Sequence, residues 1–277
     1  MKAKRIIAMA KKEFLDNVRN RWLIIITAIF LIMTIASSIV AGGGEIGEMG
    51  ATVTTLISLS SMLLPVIGIM LGYGTIAGEA ESGALAVVLS YPVKRIEVLI
   101  GKFFGLSSVI IASVMGGFGI AGLIISLVTS ATEWSGYLIF MGLSILLGIL
   151  YVSLSLFFSA ILKRRATALG AGIFIFFWGA IIGTIWLGIY ASSGGSIQDF
   201  LSGGEIELPS WFWFELFLSP QDGSQTATML AFGVKKIMGF SFDTPSWINL
   251  STISLSQLIW TLVPLSLAMW FFKKRDI

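Results

Sequence analysis

The chain has 277 residues, 56% of them hydrophobic and only 12% charged, with a mean hydropathy of +0.93; soluble domains carry about 25% charged residues, so the composition excludes a soluble domain and predicts an integral membrane protein that crosses the bilayer several times. A net charge of +3 and a pI near 9.2 do not point to nucleic acid, because the basic residues are distributed by membrane side and not gathered in one patch. Cysteine and histidine are absent, which removes disulfides, thiolate chemistry, Cys/His metal sites, haem ligation and imidazole catalysis, so no metal or cofactor is expected in this chain.

Residues 1–21 carry Lys2, Lys4, Arg5, Lys11, Lys12, Arg19 and Arg21 around an apolar stripe at Ile7, Phe14 and Val18. This pattern predicts a helix lying in the membrane interface, its lysines toward anionic lipid head groups. Trp22 to Ala41 is twenty residues without a charge, about 30 Å of helix and enough to span the hydrocarbon. It is longer than the apolar region of a cleaved signal peptide. Gly42, Gly44 and Gly47 spell G-x-G-x-x-G, but no strand precedes them and no helix-strand unit follows. The run Gly42 to Gly50 reads as a short flexible external loop.

A second span is expected from Thr52 to Ala77, with Pro65 inside it and Gly68, Gly72, Gly74 and Gly78 at small-xxx-small spacing, the pattern of close helix packing in membranes. The segment 78–99 that follows is a charged island. It holds Glu79, Glu81, Glu97 and the Lys94-Arg95 pair, and a short helix is expected from Glu81 through Leu89, ended by Pro92. Leu85, Val88 and Leu89 on that helix need cover from the membrane interface or another protein. A third span is expected from Ile100 to Val128. Its Gly101-Lys102 is no P-loop, since no Ser or Thr follows the lysine and no glycine stands five places before Gly101.

Thr132, Glu133 and Trp134 form a brief loop before a fourth span, Tyr137 to Leu162. Lys163, Arg164 and Arg165 make a tight turn into a fifth, Ala166 to Tyr190. Residues 191–250 form an external insertion, with a Gly/Ser linker, an interfacial aromatic cluster at Trp211 to Phe214, and a helix start in which Ser219, Pro220 and Asp222 stand as N-cap, N1 and N3. That helix is expected to run toward Lys236. Asn249-Leu250-Ser251 fits a glycosylation sequon but stands beside the sixth span, Thr252 to Phe272, which contains Pro264 and ends at Lys273-Lys274-Arg275.

With the N-terminus in the cytoplasm, the inside segments hold seven, three, three and three Lys and Arg, sixteen of the eighteen. The opposite orientation reverses that ratio, so six spans with both termini cytoplasmic is the expected topology. Nine of the fifteen acids fall outside. No ionisable residue stands in the middle of a span, which argues against an ion-coupled carrier. Ser107, Ser108, Ser153 and Ser155 have no histidine or in-span lysine or acid to activate them, which argues against a membrane enzyme.

The pattern Glu79-x-Glu81-x-Gly83, then Leu89-Ser90-x-Pro92-Val93-x-Arg95, then Gly101-Lys102, resembles the permease subunits of type-2 ABC exporters, in the branch that includes the nitrous-oxide-reductase maturation permease. The resemblance implies an all-α membrane fold of six helices, a homodimer, and two copies of a separate ATPase subunit that binds ATP and Mg. It implies that 78–99 is the coupling segment, with Glu79, Glu81, Ser82, Gly83, Leu85, Pro92, Lys94 and Arg95 facing the ATPase. Ala84 stands where that family often has threonine. Two other readings stay open: a permease that transmits force to an external partner protein through 191–250, and a transporter that needs no ATPase.

Overall fold

The computed structural model describes residues 2–47, 49–129, 134–195, 208–233, 236–237, 240–241 and 244–275. Thr132, Glu133 and residues 196–207 of the expected loops lie outside the described residues. Among the described residues, six helices are long and apolar enough to cross a membrane.

The first helix, α1 (Lys2–Arg19), is separated from α2 (Trp22–Ala41) by a break at Arg21, whose φ of 62° lies in the left-handed region. The glycine loop after α2 is tighter than the flexible loop expected from sequence. Gly43 and Gly44 take positive φ, and Ser38 Oγ donates to the Gly47 carbonyl at 3.1 Å. The second span, α3, covers Met49–Gly72 and stops five residues before the expected Ala77.

Two short helices follow, α4 (Ala77–Glu81) and α5 (Ala84–Ser90). The single helix expected from Glu81 to Leu89 is therefore divided, because Gly83 takes a φ of +76° that turns the chain between the two pieces. The third span begins at Arg95, well before the expected Ile100: α6 (Arg95–Val114) continues through one turn of π-helix at Met115–Gly119 into α7 (Ile120–Thr129). At 35 residues it is about 50 Å long, so it projects beyond the bilayer. The π-turn frees the Phe118 carbonyl, and the Tyr137 hydroxyl donates to it at 2.7 Å.

The remaining spans are α8 (Trp134–Ile161), α9 (Arg165–Ser192) and, at the C-terminus, α12 (Leu250–Lys274). Between α9 and α12 lie a 3₁₀ turn at Ser210–Phe214, α10 (Glu215–Leu218) and α11 (Pro220–Ala231). The helix α11 stops short of the expected Lys236 ahead of Gly233, whose φ of +63° turns the chain, and a two-residue antiparallel ladder, β1 (Lys236–Ile237) with β2 (Phe240–Ser241), is the one pair of strands among the described residues. Asn249 of the sequon is the N-cap of α12, accepting from the Thr252 N–H at 3.0 Å.

The bundle is built around α8, whose most apolar stretch is 67% buried against 22% for that of α9. Apolar collapse does not drive helices together in lipid, so close backbone approach carries the packing. Gly68 lies against Tyr151 and Gly148, and Gly72 against Ser155, with notional Cβ contacts of 2.8 Å to each of those side chains. Ser155 Oγ then donates to the Ile69 carbonyl at 2.9 Å. Gly74 and Gly78 depart from this pattern. They lie past the end of α3 under the side chain of Arg165, so they clear space for an arginine and not for a helix.

Candidate functional site

The segment between α3 and α6 is an elbow at the end of the bundle that also carries α1 and the C-terminal end of α12. Ser159 of α8 fills the gap where α3 breaks. Its hydroxyl donates to the Tyr73 carbonyl at 2.8 Å and accepts the N–H groups of Ile76 and Ala77 at 3.0 and 2.9 Å. One buried hydroxyl thus satisfies three backbone groups that the interrupted helix leaves open.

Both glutamates of the elbow are engaged within the chain. Glu79 accepts from Lys102 Nζ at 2.7 Å, and the same ammonium reaches Glu13 of α1 at 2.8 Å. Lys102 is 1% exposed. It was expected at the cytoplasmic start of the third span, and the early start of α6 places it deeper, in the second turn of the helix, under α1. Glu81 accepts the backbone N–H of Arg165, the first residue of α9, at 3.1 Å. The Arg165 guanidinium donates to the Tyr73 hydroxyl at 2.6 Å and lies over that ring. The elbow is therefore tied to α1, α6, α8 and α9 at once.

The expected partner-facing residues divide into two sets. Leu85, expected to need outside cover, is fully buried in the chain's own core. Arg95 turns back onto the last helix, donating to the carbonyls of Phe272, Lys273 and Arg275, where an arginine complements the open C-terminal carbonyls. Arg275 does the same for α8, bonding the carbonyls of Ser159 and Ala160 at 2.8 and 3.1 Å. Ser82, Gly83, Pro92 and Lys94 remain exposed. With them stand Val87 and Tyr91, 62% and 65% exposed, which sequence reasoning did not single out. The Lys94 N–H donates to Glu97 at 3.0 Å, half of a capping box that starts α6.

The helix α1 turns an acid inward as well as apolar side chains. Ile7 is 63% exposed while Glu13 is buried. Gly101 and Gly105 of α6 form a groove in which Met9, Ala10 and Glu13 sit, so α1 packs along α6 with its acid turned inward to Lys102. Arg5 closes the same face on Glu97 at 3.5 Å.

Away from the elbow, the region between α9 and α12 folds back into the bundle. Trp178 Nε1, halfway along α9, donates to the Leu218 carbonyl at 3.0 Å, and Trp260 Nε1 of α12 to that of Phe217 at 2.8 Å. Gln221 and Gln225 of α11 donate to the carbonyl and the hydroxyl of Ser61, midway along α3, at 3.3 and 2.9 Å. The expected cap is present, with Ser219 Oγ accepting from the Asp222 N–H, but the helix start that it marks lies at the mid-height of the spans. Glu215, in the connection ahead of it, is 9% exposed. Burial, together with the Asp222 carboxyl, pushes it up to about 9.

Residues 7–277 match the family described as ABC-2 family transporter protein. The chain is 30% identical to a probable ABC transporter permease protein NosY of Pseudomonas aeruginosa, over 97% of this chain and 98% of that one. It is 29% identical to a protein of the same description from Stutzerimonas stutzeri, over 96% and 97%. A match over nearly the whole length, on a bundle of six apolar helices, gives the class: the chain belongs to the ABC-2 family and is a multi-pass transmembrane permease of an ABC transporter.

Proposed function

We propose that the chain is the membrane half of an ATP-driven exporter, a homodimer that receives force from two separate ATPase subunits, each binding ATP and Mg. The elbow faces the cytoplasm, as do both termini, in keeping with sixteen of eighteen basic residues on one side. The observation that carries this reading is that the elbow combines an exposed edge at Ser82, Gly83, Val87, Tyr91, Pro92 and Lys94 with fixed attachments at Glu79, Glu81 and Leu85. A partner pressing on that edge would move a rigid body, and the attachments deliver the motion to the end of α3 and the start of α9. These two spans would open and close the path between copies. Glu79 and Glu81 then act as the joints of the lever and not as its grip on the ATPase.

The test is to express the tagged chain together with a P-loop ATPase encoded beside it. Detergent-solubilised chain should retain that ATPase, and Val87→Glu or Tyr91→Glu should release it while the permease still elutes as a folded species. Failure of the unaltered chain to retain any nucleotide-hydrolysing partner, or full retention by both variants, would overturn the assignment.

A further inference from the structure

Between α3, α9 and α11 lies a cavity of about 570 Å³, the volume of a small-molecule site. Gly179 and Ser61 place it near the middle of their spans, and Phe176 and Phe177 supply an aromatic wall. The formal charge of the polar wall is one-sided, with Asp222 and no cation among the lining residues. Ser61 donates its hydroxyl proton to the Ser58 carbonyl, and Thr184 donates its own to Ala180. One N–H of each of Gln221 and Gln225 is held by Ser61. What is left over is two amide oxygens, the second N–H of each glutamine, and the carboxylate of Asp222, which also accepts from the Ser219 hydroxyl. No lysine or arginine lines the cavity. Behind the wall, Glu215 Oε1 is buried without a hydrogen-bond partner among the described residues, 4.0 Å from the position a Cβ would take on the lining residue Gly183. A second carboxyl oxygen thus borders the same space.

We propose that this cavity is a binding site for an amphiphile with an ammonium head, held by Asp222 and the two glutamine oxygens, with its apolar body against Phe176 and Phe177. An ammonium supplies donors and a positive charge, which matches a wall that carries a carboxylate and no cation, and its charge-assisted bonds to a carboxylate at low dielectric are the strong kind. The aromatic faces add attraction for a cation. This rests on the reading that the permease moves a cargo, and it assigns that cargo a chemical class.

The test uses the full-length chain in nanodiscs of zwitterionic lipid without any ATPase, with dodecylammonium as the probe and tryptophan fluorescence as the readout. Saturable binding is expected, and dodecyltrimethylammonium, which keeps the charge but has no N–H, should bind more weakly. Dodecanoate should show no saturable component. Asp222→Asn should weaken the ammonium by about tenfold or more, the loss of one charge-assisted bond. Gly183→Leu should block ammonium and dodecanol alike by filling the space. The proposal is overturned if dodecylammonium shows no saturable binding, if dodecanoate binds equally well, or if both variants bind as the unaltered chain does. Because no ATPase is present, any of these failures leaves the coupling experiment above standing on its own result.

Discussion

The two ends of the polar framework obey opposite rules. At the elbow, cations are matched: Lys102 has two carboxylates, Arg5 has Glu97, and Arg95 and Arg275 each cap a helix terminus. At mid-height, Glu215 and Asp222 face one another, and no ion pair reaches either among the described residues. A buried charge that is paired and hydrogen-bonded fixes geometry, whereas one that lacks a counter-charge leaves binding capacity unused. The difference separates a part built to move as one piece from a part built to accept something.

The largest effect should come from removing the hub of the matched end. Lys102→Met leaves half-buried Glu79 without its ion pair and buried Glu13 with only the half-exposed Lys12 at 3.6 Å, and breaking such a group by losing one partner costs about 3–5 kcal/mol. Thermal unfolding in detergent should show the loss. The triple change Lys102→Met, Glu13→Gln, Glu79→Gln should recover most of it, since an uncharged core is close to neutral in stability. In the coupling assay the triple variant should still fail, because α1 and the elbow would no longer be locked together. A cost under about 1 kcal/mol for Lys102→Met, the range of an exposed pair, would deny the contrast between the two ends.

A smaller effect separates the glycines. Gly72→Ala places a methyl 2.8 Å from the Ser155 side chain in the tightest helix contact, and overpacking of this kind costs about 1–3 kcal/mol. Gly74→Ala meets Arg165 Nε at 3.1 Å, and that long side chain is able to shift, so the change should stay within about 0.5 kcal/mol. Equal unfolding midpoints for the two variants would show that the elbow is as tightly packed as the α3–α8 contact.

Much of this architecture was legible in the sequence because lipid imposes long apolar runs and side-dependent basic residues. The span Trp22 to Ala41 was read to the residue. What could not be read were interactions between segments distant in sequence. Lys102 was read at the cytoplasmic start of the third span but not as a buried hub, because its partner Glu13 is 89 positions away and because the apolar run starts after the helix does. Glu97, three residues past Lys94, and the spacing of Gly101 and Gly105 were the available signals for an earlier helix start with a neighbour lying on it. Glu79 and Glu81 were legible as a pair, but their donors on α6 and α9 were not. For α11, the cap at Ser219 gave the helix, yet a helix of twelve residues carries no mark of depth. Its own contacts with Ser61 and Gln257, and that of Leu218 just ahead of it with Trp178, place it at mid-height.

The gentlest way to sharpen the contrast is to titrate the unmatched end. Glu215 lies at about 9 in the folded protein against an ordinary value of 4.5. Between those values the folded chain holds a proton that the unfolded chain has released, so stability falls as pH rises, and the contribution is gone once the pH passes the folded value. The slope for one such group is at most about 1.4 kcal/mol per pH unit, so between roughly pH 6 and 8 the unfolding midpoint should drift downward by an amount on the order of 1 kcal/mol per unit. Glu215→Gln should abolish that drift, because a glutamine has no proton to lose, and Asp222→Asn should move the window to lower pH by removing the neighbouring negative charge. A pH dependence unchanged in Glu215→Gln would mean that the carboxyl is ionised and compensated, and the mid-height polar cluster would then resemble the elbow.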